Sequence, residues 1–469
     1  MTPSHFFTFP RMGKVKHIHF VGIGGAGMCG IAEVLHEEGY VITGSDLSET
    51  KTIHRLRDLG IHVFIGHASA NITNADVLVQ SSAISADNEE LVAARKLMIP
   101  IIPRAAMLAE LMRFRFGIAI AGTHGKTTTT SLISHVLIEA GYDPTYVIGG
   151  KLNCSGQHAQ LGKSPYLVAE ADESDASFLF LKPMMAVVTN IDKDHMSTYA
   201  NSFTKLKQTF VEFLHHLPFY GLAALCIDCP QVRKLFTQIE RPKASYGFSR
   251  DAAYRAYNWQ QQELVSTFTV TRPAPYKELT LTLPVPGKHN VLNALATIAI
   301  ATELGLNDAV ITNSLANFQG VGRRFQLLGE VAFPKGKALV IDDYGHHPNE
   351  IKATIEAFRA IWPNKKLVHV FQPHRYTRTR DLFDDFVNVL SLSDELLLLD
   401  IYPAGESPIA GITSETLLKK IQQKSEHAHS TTQENLHSTV ASVVTDGCAV
   451  LMQGAGNISQ LAQALVKVK

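Results

Sequence analysis

The chain has 469 residues, 45% of them hydrophobic and 18% charged, enough for about three domains that each build a core. Its 43 basic and 43 acidic residues balance, so it lacks the cationic surplus that binding to nucleic-acid phosphates demands. No apolar run approaches the roughly 18 residues of a membrane span, and the opening ten residues lack the basic and apolar regions of a secretion leader. A cytoplasmic protein without nucleic-acid or membrane partners is expected; nothing in the pattern sets an oligomeric state. Met12 offers a second candidate start beside Met1. In chain order, short apolar runs at 17–21, 41–43, 61–65, 77–79 and 101–102 read as strands, with helices at 26–38 and 53–59. Such alternation predicts a parallel, doubly wound sheet.

A helix over 105–114 leads to a second start of the same pattern at 117–121, which places a boundary near residue 114. Strands follow at 166–170 and 185–189, then an amphipathic helix over 203–214. Strands without intervening helices between about 244 and 283 predict an antiparallel addition, closed by a helix over 290–304. A second boundary falls at 320–324. Beyond it, strands at 338–341, 367–371, 395–400 and 449–452 alternate with helices at 350–361, 381–390 and 434–445. The reading is an α/β protein of three domains, 1–114, 115–322 and 323–469.

Five cysteines (Cys29, Cys154, Cys226, Cys229, Cys448) are odd in number and scattered, which gives no disulfide framework. Cys226 and Cys229 match C-x-x-C, but the nearest further zinc ligands are only His215 and His216. Cys226 instead ends an apolar strand, where it reads as a small core residue.

Gly22, Gly24, Gly25, Ala26 and Gly27 form a G-x-G-x-x-G turn between a strand and a helix, and Asp46 stands 19 residues on at the end of the next strand. Glycines allow close backbone approach, and the helix N-terminus offers free N–H groups to a diphosphate. The chemistry specifies a diphosphate and a ribose, not a nicotinamide; the bland alternative is glycines that ease helix–strand packing. Gly122, Thr123, His124, Gly125, Lys126, Thr127 and Thr128 resemble a phosphate-binding P-loop, although Ile120 stands where the first glycine belongs. Lys126 would contact the β- and γ-phosphates and Thr127 would ligate Mg²⁺.

Glu170, Asp172, Glu173 and Asp175 lie just past one strand end, and Asn190, Asp192, Asp194 and His195 past the next. Carboxylate and imidazole groups beside a P-loop suit a divalent cation bridging nucleotide phosphates, while about half of them would merely cap turns. In the third unit, Asp343, Tyr344, His346 and His347 end one strand, and His374, Arg375, Arg378 and Arg380 end another. Guanidinium groups in that position suit a carboxylate or phosphate; a solvated basic face is the alternative.

Together these strings resemble the Mur ligase family over about residues 16–466: GIGGAGM-GIAE, SSAISADN, AGTHGKTTTT, AEADESDASF, TNIDKDHM, GKHNVLNALA, GVGRRF, DDYGHHP and FQPHRYTRTRDLF. The resemblance implies three domains: an N-terminal Rossmann-like domain for a UDP-sugar, a central P-loop ATPase with a mixed sheet, and a C-terminal Rossmann-like domain. The first turn would then serve a UDP-sugar and not NAD, with Gly22 to Gly27, Ser45, Asp46, Ser81 and Ser82 lining its site. Gly122 to Thr128 would hold ATP; Glu170, His195 and Thr127 would hold magnesium; Asn290 and Asn293 would meet the nucleotide. Arg324 and Asp343 match residues that reach the γ-phosphate and nucleotide, and Tyr344, His346, Arg375 and Arg378 match those that hold the amino acid.

Two departures bear on the branch. Where several relatives carry a carbamoylated lysine this chain has Phe210, which fits the alanine-adding branch, and Ser197 and Asn457 replace aspartates common elsewhere. The implied reaction is ATP-driven amide formation between the carboxylate of UDP-N-acetylmuramate and L-alanine through an acyl phosphate, in peptidoglycan precursor synthesis. His346 is a candidate general base. The rivals are a ligase that adds a whole tripeptide to the same sugar, an NAD-dependent oxidoreductase supported only by the first turn, and a non-catalytic UDP-sugar sensor.

Overall fold

The computed structural model describes residues 12–149 and 159–467; the candidate start Met1 and the thiol of Cys154 lie outside them. Three sheets organise the chain. The first contains β1 (His17–Val21), β2 (Val41–Asp46), β3 (His62–Ile65), β4 (Val77–Gln80) and β5 (Ile101–Pro103) in the order β3-β2-β1-β4-β5. Among the described residues its pairings are all parallel. The order reverses at β1, so the connections that leave β1 and β4 run in opposite directions from the paired strand ends, the place where ligands of such sheets bind.

Helices α1 (Ala26–Glu37), α2 (Lys51–Asp58) and α3 (Glu89–Lys96) lie between these strands, and α4 (Arg104–Met112) leads from β5 to the second sheet. Thr50 caps α2 by accepting from Ile53 N, and Asn88 caps α3 by accepting from Glu90 N and Leu91 N. Each satisfies first-turn N–H groups that would otherwise lack partners.

The second sheet runs β15-β14-β13-β12-β11-β10-β6-β9-β7-β8. Its members are β6 (Phe116–Ala121), β7 (Thr145–Val147), β8 (Ala159–Gln160), β9 (Tyr166–Glu170), β10 (Met185–Val188), β11 (Leu222–Cys226), β12 (Lys243–Gly247), β13 (Tyr254–Gln262), β14 (Val265–Thr271) and β15 (Leu279–Leu283). The centre is parallel and β7–β8 is antiparallel, so the sheet is mixed. The addition expected over 244–283 is attached through a parallel step, β12 to β13. Between β13 and β14 lie only Glu263 and Leu264, a link too short for a parallel crossover.

The chain divides into two compact units, one comprising 1–258, 268–282 and 291–318, the other 259–267, 283–290 and 319–469. Within the first unit the first two sheets share one hydrophobic core. It runs from Ile18, Phe20 and Ile31 through Leu108, Leu111 and Met112 to Ala119, Leu167 and Phe210. The separate cores suggested by composition are therefore fused: α1 and α4 are buried on the side that faces the second sheet.

The second unit carries β16 (Gln326–Phe333), β17 (Gly336–Asp343), β18 (Leu367–Phe371), β19 (Glu395–Leu398), β20 (Ala428–Ser430) and β21 (Cys448–Gln453) in the order β16-β17-β21-β18-β19-β20. Among the described residues only β16 runs antiparallel in this sheet. That edge strand has no readable period in sequence, because a register shift between Leu327 and Gly329 breaks its alternation. The helix expected at 381–390 is two, Tyr376–Asp381 and Phe383–Leu390, so the quoted arginines begin a helix of their own.

Candidate functional site

Three clusters carry the expected residues. At the first, β1 ends in Gly22, whose φ of +80° is left-handed, and the turn is hung on β2. Gly22 N and Ile23 N donate to Ser45 O at 2.9 and 3.0 Å, and Gly24 N donates to Asp46 Oδ2 at 2.9 Å. A Cβ on Gly24 would lie 2.8 Å from that oxygen, so the carboxylate that closes the turn also requires glycine there. Gly25 precedes α1 without a side-chain cap, and the first turn of α1 holds no acidic residue. Uncapped first-turn N–H groups of this kind suit an anion.

Ser81 follows β4 and lies against Gly22, 3.2 Å from where a Cβ would stand; Ser82 beside it is exposed. Ser45 is placed differently from expectation. It is fully buried, and its hydroxyl donates to Glu90 Oε2 at 2.6 Å. Glu90, at the start of α3, also accepts from Asn71 Nδ2 at 2.6 Å and lies 3.3 Å from His67 Nδ1 and 3.7 Å from His19 Nε2. Burial alone would push this carboxyl up; the nearby His19 imidazole and hydrogen bonds from Ser45 and Asn71 outweigh it and hold the group at about 2. Sequence reading missed Glu90, although an acidic residue two places after a capping Asn is a visible helix-start pattern.

The second cluster is the P-loop. β6 ends at Ala121, Gly122 turns with φ +127°, and Gly125 with φ +84° precedes α5 (Lys126–Glu139). Both glycines are required sterically: a Cβ would come within 2.1 Å of Thr189 Oγ1 at Gly122 and 2.7 Å of Asn293 Oδ1 at Gly125. Ile120, which broke the consensus, is a buried strand residue paired with Glu170.

The segment after β10 clamps the loop. His124 N donates to Asn190 Oδ1 at 2.8 Å, Thr189 Oγ1 and Asn190 Nδ2 donate to His124 O, and Asp192 N donates to Thr123 Oγ1 at 2.9 Å. Lys126 Nζ donates to Gly122 O at 2.7 Å and to the two Glu173 carboxylate oxygens at 3.0 and 2.8 Å. Burial works against the Lys126 charge, but Glu173 and Asp172 outweigh it and raise the ammonium above its ordinary value.

Glu170, at the end of β9, accepts from Gly149 N at 2.7 Å. Thr127 and Thr128 are nearly buried in the first turn of α5. Asn293 accepts from Thr129 Oγ1 at 3.1 Å, and Asn290 donates to Pro286 O at 2.7 Å. His195 holds a left-handed φ of +53° beside Asp194, with Nε2 3.5 Å from its carboxylate. A hydroxyl, a carboxylate and an imidazole are donor types that a divalent cation accepts, with oxygen preferred by Mg²⁺.

Phe210 is fully buried, 5.2 Å edge-on from Phe178, a core position with no room for a charged lysine derivative. Cys226 ends β11 in the interior, where burial pushes its thiol up to about 12.

The third cluster lies at the carboxyl ends of β17 and β18 in the second unit. Asp343 is a hub: it accepts from Phe325 N and Gly345 N, each at 2.9 Å, from Gln453 Nε2 at 2.6 Å and from Thr354 Oγ1 at 3.2 Å. Tyr344 lies within cation–π range of the Arg323 and Arg324 guanidiniums, 4.7 and 5.0 Å from its ring centre. Arg324 Nη1 is also 3.9 Å from Glu350.

His346 stands edge-on to Tyr344, and its ring centre is 5.8 Å from that of His374. His374 in turn stacks on Tyr402 at 5.6 Å and 7°. Arg378 is buried, with Nη1 3.3 Å from His374 Nδ1. Arg375 is half exposed, adopts φ +71° and lies 3.8 Å from Glu406. Glu406 accepts from Thr377 N at 2.9 Å and Thr377 Oγ1 at 2.6 Å, anchoring the start of that helix. Tyr344, His346, Arg375 and Arg378 thus share one strand-end cluster. His374, already noted at this strand end, and Tyr402 and Glu406, which sequence reading did not select, complete it. Asn457 accepts from Gln372 Nε2 at 2.8 Å behind it.

Three family models match in order: "Mur ligase family, catalytic domain" over residues 17–116, "Mur ligase middle domain" over 120–301, and "Mur ligase, glutamate ligase domain" over 323–456. The chain is 63% identical over 467 residues, covering 100% of both, to the UDP-N-acetylmuramate–L-alanine ligase of Legionella pneumophila strain Corby. Among solved structures it resembles the UDP-N-acetylmuramate–alanine ligase of Thermotoga maritima, with TM-score 0.81 and 29% identity over 96% of this chain and 98% of that one. It also shares its fold with a murein peptide ligase of Psychrobacter arcticus, with TM-score 0.71 and 22% identity over 96% and 98%.

Proposed function

The chain belongs to the Mur ligase family, and from that premise we propose that it joins L-alanine to the muramoyl carboxylate of UDP-N-acetylmuramate with hydrolysis of ATP to ADP and phosphate. The end-to-end likeness to a chain named for that reaction carries the assignment. The product is a peptidoglycan precursor. Divisions at residues 114 and 322 give each domain one ligand: the UDP-sugar, ATP and the amino acid. Among the described residues no helix is long and apolar enough to cross a membrane, and we assign the reaction to the cytoplasm, where ATP is available.

The muramoyl carboxylate attacks the γ-phosphorus, the β–γ bridging oxygen leaves with ADP, and an acyl phosphate forms. The alanine amine then attacks the acyl carbon, and the tetrahedral intermediate collapses with loss of phosphate. The residues supply charge neutralisation and alignment for both steps. Lys126, fixed to Gly122 O, meets the β- and γ-phosphates in this reading. Asn290 and Asn293 line the nucleotide side. Thr127, Glu170 and His195 would hold Mg²⁺, which supplies further charge neutralisation on the triphosphate. Arg324 meets the γ-phosphate, and Asp343 fixes the strand end that presents Tyr344.

Arg378, with Arg375 beside it, holds the alanine carboxylate by charge-assisted hydrogen bonds. His346 is the group we assign to accept the amine proton. The close row of His346, His374 and Tyr402 rings suits a methyl side chain better than a peptide.

Phosphate release with UDP-N-acetylmuramate, ATP and Mg²⁺, comparing L-alanine with the tripeptide and weighing the product, tests the reading. Alanine-dependent turnover with the matching mass gain is expected. Turnover with the tripeptide alone would make the chain the tripeptide-adding ligase, and turnover with neither would leave a UDP-sugar sensor.

A further inference from the structure

Arg104 opens α4 directly after β5, and its side chain crosses to the glycine turn. A methyl group on Gly27 would stand 3.1 Å from Arg104 Cδ and 3.3 Å from both Nε and Nη1. On its other side, Nη2 lies 3.7 Å from Asp172 Oδ2, in the acid cluster beyond β9. The side chain is 20% exposed, so it is held between the two places and not spread on the surface.

This placement is electrostatically costly as it stands. Neither α1 nor α4 has a side-chain cap on its N-terminus, and neither first turn contains an acidic residue. A guanidinium at two helix N-termini is opposed by both dipoles. Asp172 at 3.7 Å offsets this only in part, because it lies beyond the distance of a closed charge-assisted pair. An anion resting on the α1 turn, with the guanidinium fork against it, resolves all three positive contributions together.

We propose that Arg104 is a further substrate-binding residue, gripping the diphosphate of the sugar nucleotide from the side opposite the α1 backbone. Its five donors let it keep Asp172 on one edge while binding phosphate oxygens on the other. Occupancy of the UDP-sugar site is thereby linked to the acids beside Lys126. The proposal rests on the assignment of the UDP-sugar to residues 22–27.

Calorimetry on the full chain with UDP, and ligand-observed NMR with uridine, separate the possibilities. Arg104→Gln is expected to weaken UDP binding roughly ten- to a hundredfold, the worth of one or two charge-assisted hydrogen bonds. Uridine, which lacks the phosphates, should change less than about twofold, and Arg104→Lys should recover part of the UDP affinity. Equal losses for UDP and uridine, or no loss for either, would make Arg104 a structural pair with Asp172 and overturn the proposal. Failure of the unaltered protein to bind UDP would instead overturn the assignment of residues 22–27. Thermal melting of both variants checks folding; if Arg104→Gln melts early, the UDP-to-uridine ratio of Arg104→Lys decides, with an unchanged ratio refuting the grip.

Discussion

Lys126 Nζ lies 2.8 Å from a carboxylate oxygen of Glu173, and both side chains are largely out of solvent. The lysine that should meet the triphosphate is already paired within the protein. Glu173 therefore competes with the phosphates for it, and binding of ATP exchanges one anionic partner for another. Removing the competing charge should favour the nucleotide: we expect Glu173→Gln to lower the KM for ATP roughly three- to tenfold, about 0.7 to 1.4 kcal/mol. Steady-state phosphate release over an ATP titration measures this. A raised KM would mean that Glu173 supports the lysine while ATP is bound.

Lys126→Ala tests the same lysine from the other side. Turnover is expected to fall by about a thousandfold or more, as with loss of one central electrostatic stabiliser. The proposed UDP-sugar site lies on the first sheet, and its turn is held by Ser45 and Asp46, neither of which involves Lys126. Calorimetric affinity for UDP-N-acetylmuramate should stay within about twofold; its loss would refute the division of the two ligands between domains.

Arg378 is buried against His374, whereas Arg375 is half exposed and shares Glu406. Of the two, Arg378 is the desolvated donor, where a charge-assisted bond is stronger. We expect Arg378→Ala to raise the KM for L-alanine about ten- to a hundredfold while the KM for ATP moves less than about threefold. Parallel increases in both would place this arginine on phosphate.

The glycine turn and the P-loop were legible in sequence because each is a local device: strand, glycines with forced φ, then helix, all within a dozen residues. Their partners were not. Glu90 meets Ser45 from 45 residues away and Arg104 meets Gly27 from still further, brought there by the parallel order β3-β2-β1-β4-β5, and nothing near them in sequence points to that distance. His374 stood inside a quoted string, but its role depends on Tyr402, which arrives from beyond β19 and stacks on it. The shared core of the first two sheets was also hidden. An amphipathic helix such as α4 reveals that it has a buried face, but not which sheet covers that face.

Glu90 makes one of those hidden partners testable. Its carboxylate satisfies Ser45 and Asn71 inside the protein, so truncation leaves buried donors without acceptors. Glu90→Ala should cost about 2–4 kcal/mol, read as a lower melting temperature, and should weaken UDP-N-acetylmuramate through the loosened β2 end that holds the glycine turn. Because the folded carboxyl sits near 2 against an ordinary 4.5, its contribution is complete above about pH 4.5 and is lost as pH falls from there towards 2.

His369 gives a second acid window in the other unit. It is fully buried on β18, with Nδ1 2.9 Å from Ser393 Oγ, and burial lowers its pKa from 6.5 to about 3. Between those values the unfolded chain binds a proton that the folded chain does not. Stability from this group is thus complete above about pH 6.5 and declines as pH falls towards 3, with a slope approaching 1.4 kcal/mol per pH unit. The window opens well above that of Glu90, so the two are separable. His369→Asn retains a polar atom for Ser393 but cannot titrate. Urea midpoints at pH 7.5, 6.5, 5.5 and 4.5 should fall steeply for the unaltered protein and more gently for the variant, even if the variant is weaker at pH 7.5. Parallel curves would mean that His369 is already charged in the fold, and that the buried end of β18 accommodates an imidazolium.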